Sequence, residues 1–192
     1  DNRVGAFARD LVDDVADIVD EVAVIAKAAG HHIGARAAVD LEGPTAATSV
    51  GFGYTHDNRR KLTAQQSGLT TAKMSDMELA WSIAIPGGSI MRSQGAIVGK
   101  NLFWPATDIG KVYAFDLGGD KPCIQWIYSS AAPGPLRTST AYGVLADGTP
   151  QLVIAGQDGT VHALDARTGK AMWTKKVASY SYSMTTGTPV IL

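Results

Sequence analysis

The sequence predicts an all-β protein on three observations: an incomplete propeller of four-stranded blades, preceded by one N-terminal helix. Tryptophans recur, with Trp81, Trp126 and Trp173 standing 45 and 47 residues apart. The runs around them repeat as well. "GKVYAFD" at Gly110–Asp116 lies over "GTVHALD" at Gly159–Asp165, 49 positions later, and "RSQGAIV" at Arg92–Val98 over "RTSTAYG" at Arg137–Gly143, 45 later. Glycine supplies 21 of the 192 residues, well above an average share of about 7%, as many tight turns require. A unit of about 45 residues with four antiparallel strands is the signature of a propeller blade.

Taken in order, residues 1–43 read as helix, because Leu11, Val15, Ile18, Val19, Val22, Ile25 and Ala29 recur at helical spacing. Acidic residues crowd its first half, where the helix dipole tolerates them, and Gly30 is a stop signal. The stripe suits a surface helix packed on a neighbour; a regulatory or dimerising helix is the other reading. The adjacent pair His31–His32 points its rings apart, which is poor geometry for chelation. Residues 44–76, after Gly43–Pro44, are polar and glycine-punctuated and read as an extended arm. Residues 77–192 read as the partial propeller.

Within the propeller, a lone D-type strand is expected at Met77–Ile85. The first full blade spans about 93–128, with strands near Ser93–Val98, Leu102–Ala106, Lys111–Asp116 and Cys123–Tyr128. The second spans about 138–177, with strands at Thr138–Leu145, Gln151–Ala155, Thr160–Asp165 and Ala171–Val177. Asp147–Gly148 and Asp158–Gly159 are expected as two-residue hairpin turns, in which both central residues take positive φ. A third blade is expected to begin at 187, with Gly187–Leu192 as its A strand. Each blade needs a neighbour on either face, so the recurring tryptophans read as packing between blades. Propellers close with roughly 4–8 blades, so a longer protein containing this piece is expected.

Composition narrows the function classes. Seventeen basic and 18 acidic residues give a net charge of −1, so charge offers no reason to expect nucleic acid or an anionic membrane as partner. No apolar run approaches the length of a membrane span. Cys123 is the only cysteine, which speaks against an internal disulfide, a structural zinc and a c-type haem in this chain. The acidic start does not read as a signal peptide, so any export signal is expected outside this sequence.

"GQDGTVHALDARTGKAMW", Gly156–Trp173, resembles the quinoprotein repeat A-x-D-G-x-x-x-A-L-D-A-x-T-G-x-x-x-W. Enzymes dependent on pyrroloquinoline quinone (PQQ) share that repeat with scaffolds that bind no cofactor. "GFGYTHDNRRKLTAQQSGLTTAKMSDMELAW", Gly51–Trp81, is similar to the arm before blade one in PQQ alcohol dehydrogenases. "QQSGLTTAKMSDMELAW" and "WIYSSAAPGPLRTSTAYG" look most like the polyvinyl-alcohol-dehydrogenase-like branch. Residues 1–50 carry no part of the resemblance.

The resemblance implies a quinoprotein-type propeller in the periplasm, oxidising an alcohol with PQQ and Ca²⁺ and passing electrons to a cytochrome c. A non-catalytic propeller used as a binding or assembly scaffold is the alternative. PQQ carries three carboxylates, and a guanidinium grips one bidentately. Arg92 and Arg137 both stand just before an A strand, and Arg137 best matches the family's cofactor arginine. Thr185 and Thr186 hold the corresponding place one blade later, where hydroxyl donors are expected. Asp116, Asp158 and Asp165 recur in repeat turns and read as structural. Ca²⁺ ligands and the catalytic base are expected in blades beyond this sequence, so the piece alone is expected to be inactive.

Overall fold

The computed structural model describes residues 41, 49–54, 60–119, 121–131 and 135–191. Leu41 apart, the predicted N-terminal helix lies outside them, as does the pair His31–His32. Two four-stranded antiparallel sheets form, each a simple meander. The first runs β1 (Ala96–Val98), β2 (Asn101–Ala106), β3 (Lys111–Asp116) and β4 (Cys123–Ser129). The second runs β5 (Ala141–Val144), β6 (Pro150–Ala155), β7 (Thr160–Asp165) and β8 (Ala171–Lys176). The repeat therefore places all eight strands, although the two inner ones start three residues later than expected.

Period-two alternation assigns the faces. On β3, Val112 and Ala114 face the second sheet, in one core with Phe103, Trp126, Leu152, Ile154 and Leu164. Tyr113 and Phe115 face the other way and pack with Leu102, Ala106 and Ile85. Both sheets carry a bulge at the same repeat position, between Ala114 and Phe115 and between Ala163 and Leu164. Each sets a tryptophan opposite an alanine, Trp126 against Ala114 and Trp173 against Ala163.

Trp126 is 7% exposed and packs against the second sheet. Its Nε1–H donates to the Ala166 carbonyl at 3.1 Å, across the blade boundary. Its ring lies over Gly169, where an added Cβ would come within 2.5 Å. The turn that receives it is held by Asp165, whose Oδ1 accepts from the backbone N–H groups of Arg167 and Thr168 and from the Thr168 hydroxyl. Phe103 stacks between Trp126 and Tyr142, at 5.8 and 6.5 Å. Trp126 thus packs between blades as the repeat implies. Trp173, one blade on, is 46% exposed.

The Asp-Gly turns differ from the expectation. Asp147 and Asp158 keep negative φ, and only Gly148 (φ 84°) and Gly159 (φ 80°) take the left-handed region. Gly148 N–H donates to Leu145 O and Leu145 N–H to Thr149 O; Gly156, Gly159 and Thr160 repeat this pattern. These are three-residue loops, a type I turn closed by a left-handed glycine. The aspartate serves as acceptor: Asp147 Oδ1 takes the Thr149 N–H and Asp158 Oδ1 the Thr160 N–H.

Two expected single strands do not form. Met77–Ile85 and residues 187–191 have no strand pairing. A strand needs backbone ladder bonds to a neighbour, and among the described residues neither segment makes them. Residues 187–191 still run along β5, where Ile191 occupies the space a Gly143 Cβ would need. The arm is not wholly extended either. Thr63 and Gln66 form a capping box that starts a one-turn helix at Ala64–Ser67, and a 3₁₀ turn follows at Thr71–Asp76. Among the described residues, no helix is long and apolar enough to cross a membrane.

Candidate functional site

The starts of the inner strands come together through side-chain hydroxyls. Ser93 Oγ donates to the Arg137 carbonyl at 3.0 Å, and the Gln94 N–H donates to Ser139 Oγ at 2.8 Å. Ser139 N–H donates in turn to Thr188 Oγ1 at 3.3 Å. The approaches to β1 and β5, containing Arg92 and Arg137, are therefore joined side by side, and Thr188, just after Thr185–Thr186, bonds to the second. Thr140 completes the joint, accepting from the Ala96 N–H and donating to the Phe103 carbonyl, both in the first sheet.

Arg137 is half-buried, and both of its peptide groups are tied. Its N–H donates to the Ala155 carbonyl at 2.8 Å, and its own carbonyl accepts from Ser93. Its guanidinium makes no hydrogen bond or ion pair among the described residues. The same holds for the exposed Arg92 guanidinium and for the Thr185 and Thr186 hydroxyls; Thr185 is half-buried and Thr186 exposed. A guanidinium with no such partner can take a carboxylate bidentately, and a free hydroxyl can donate to one.

The arm reaches the same joint. Ser49 forms an antiparallel bridge with Ile97, and the Val50 carbonyl accepts from the Tyr142 N–H at 2.8 Å. Gln94 is clasped by the arm: its Nε2 donates to Ser49 Oγ, and its Oε1 accepts from the Gly53 N–H. Sequence reasoning passed over Ser93, Gln94 and the run Thr138–Ser139–Thr140. The signal was three consecutive hydroxyl residues at the start of a strand due for burial, where each hydroxyl must find a partner.

The acidic residues of the repeat turns are occupied. Asp116 accepts from the Gly118 N–H, and Asp158 is paired with Lys176 at 3.2 Å. Asp108 accepts from the Ser89 and Ile90 N–H groups, which hold its carboxyl below the usual range. Among the described residues, no three His, Cys, Asp or Glu side chains converge on a point that could hold a metal. His162 is 2% exposed, and its Nδ1 lies 3.0 Å from the Tyr128 hydroxyl of the other sheet. Burial lowers its pKa, against a smaller opposing pull from Asp158.

No family model matches the chain. Over 112 residues it is 32% identical to the polyvinylalcohol dehydrogenase of Sphingopyxis sp. (strain 113P3), a match covering 57% of this chain and 16% of that protein. Over 136 residues it is 29% identical to the lanthanide-dependent methanol dehydrogenase of Methylacidiphilum fumariolicum (strain SolV), covering 65% of this chain and 21% of that protein. Its fold matches a solved europium-containing methanol dehydrogenase with a TM-score of 0.63 and 23% identity, over 79% of this chain and 27% of that one. The chain thus spans less than a quarter of the length of either sequence relative.

Proposed function

We propose that this chain, a member of the PQQ-dependent alcohol dehydrogenase family, forms the first blades of a propeller enzyme that oxidises an alcohol. The observation that carries the proposal is the Arg137 guanidinium. It is uncommitted among the described residues, on a backbone fixed at both peptide groups, where the two sheets adjoin. PQQ, when bound, would supply the two-electron acceptor for the alcohol. Arg137 would grip one of its carboxylates, with Arg92, Thr185 and Thr186 as further donors at the same joint. These residues bind and orient; none of them moves a proton. Ca²⁺ needs several hard oxygen ligands, and these, with the base that takes the alcohol proton, would come from blades beyond the described ones. The periplasm and a cytochrome c as electron acceptor complete the reading, with a polymeric or secondary alcohol as substrate.

The test is Arg137→Ala in the intact protein that contains this chain. A charge-assisted bond contributes about 1.5–3 kcal/mol, so PQQ binding weakens by about tenfold to a hundredfold, while the melting temperature stays nearly unchanged. Equal loss of both makes Arg137 a structural residue. If the intact protein with PQQ and Ca²⁺ reduces no artificial dye with any primary, secondary or polymeric alcohol, the scaffold reading replaces the enzyme.

A further inference from the structure

We infer that Ser93 is a positioning residue for Arg137, acting across the boundary between the two blades. The inference rests on the reading that Arg137 grips PQQ. Ser93 belongs to the approach to β1, whereas Arg137 leads into β5 in the other sheet. The Arg137 N–H is tied within its own blade, to Ala155 on β6 at 2.8 Å. Its carbonyl is tied from the neighbouring blade, by Ser93 Oγ at 3.0 Å. Ser93 is the only donor to that carbonyl among the described residues. The guanidinium hangs from its Cα on a long flexible stem, so its reach depends on where the Cα stands. Two bonds from two blades fix that point relative to both.

Ser93 is itself well held. The next residue, Gln94, donates its N–H to Ser139 Oγ, and the arm takes its side chain at both ends. The hydroxyl therefore projects from a fixed backbone onto a fixed acceptor. Such a bond matters most for a residue whose working end makes no hydrogen bond or ion pair among the described residues.

The experiment compares the intact apoprotein with Ser93→Ala, Arg137→Ala, the double variant and Ser93→Thr. The readouts are PQQ affinity, by titration of the intrinsic tryptophan fluorescence, and the melting temperature. One neutral hydrogen bond corresponds to about a two- to tenfold loss of affinity, which is expected for Ser93→Ala and restored by Ser93→Thr. In the Arg137→Ala background, Ser93→Ala causes no further loss, because the residue it positions is gone. An equal loss in both backgrounds overturns the inference, since Ser93 would then act on the site at large. No loss from Ser93→Ala, where Arg137→Ala does weaken binding, overturns it too. No loss from Arg137→Ala overturns the reading of Arg137 itself.

Discussion

Gly169 has no room for a side chain. It takes φ 68°, and the ring of Trp126 fills the space where a Cβ would stand. Gly169→Ala therefore meets both a strained backbone and a closed contact, and overpacking alone costs about 1–3 kcal/mol. Trp126→Ala opens the same joint from the other side and costs about 3–5 kcal/mol. Urea denaturation of the chain measures both, and Trp126→Phe should fall between wild type and Trp126→Ala, because it loses the bond to Ala166 and one ring of the indole but keeps an aromatic ring in the joint. His162 adds a pH dependence. Burial holds its pKa below the ordinary 6.5, so below about pH 6.5 the unfolded chain takes up a proton before the folded one does. Stability is thus fully present above the ordinary value and falls as the pH drops through it toward the folded value. Denaturation midpoints at pH 7.5 and 5.5 check this, and replacing His162 by Gln should flatten the difference. At this scale the tryptophan was legible because it recurs. His162 was not, because one histidine inside a repeat strand has no pattern to announce that Tyr128 of the other blade faces it.

The strands were legible for the same reason, and the turns were legible as turns. Their type was not. Asp-Gly fits both a two-residue loop and a three-residue loop with only the glycine left-handed. The choice was made by the strand register beyond the turn, with Leu145 bonding Thr149 and Gly156 bonding Thr160. The two glycines make a matched pair for testing. Gly148 has nothing near its missing Cβ, so Gly148→Ala costs only the left-handed backbone, about 1–2 kcal/mol. A Cβ on Gly159 would collide with Ala178, so Gly159→Ala should cost clearly more. Thermal melts of the two variants give the ordering directly, and equal shifts would show that the Ala178 side yields freely. The end segments carry no backbone ladder, and β propensity does not make a strand without one: residues 187–191 touch the second sheet only through side chains, Thr188 to Ser139 and Ile191 on Gly143.

Taken whole, the described residues bury a joint between the two sheets and leave two apolar surfaces open. Met172, Trp173 and Val177 are all 40% exposed or more, along the outer strand of the second sheet and just beyond it. Leu79, Met77 and Met74 are exposed to at least the same degree on the segment before the first sheet. Surfaces of this kind associate. The chain alone should therefore run above its 20.1 kDa monomer mass in light scattering at micromolar concentration. A uniform monomer would show that these faces are covered from within. The candidate site was half legible at this scale. The period puts Arg92 and Arg137 just before inner strands and Thr185 and Thr186 at the corresponding place, and says nothing of what their side chains hold. The bonds that join these approaches, Ser93 to Arg137 and Ser139 to Thr188, run between residues 44 and 49 positions apart and leave no local mark. The arm spans further still. Each sheet is a run of hairpins and closes on near neighbours, whereas the Tyr142–Val50 bond joins residues 92 positions apart. Loop closure over such a distance costs entropy before any contact repays it. The arm is therefore expected to dock on sheets already formed, and the clasp of Ser49 and Gly53 on Gln94 to close after the bond from Ser93 to Arg137.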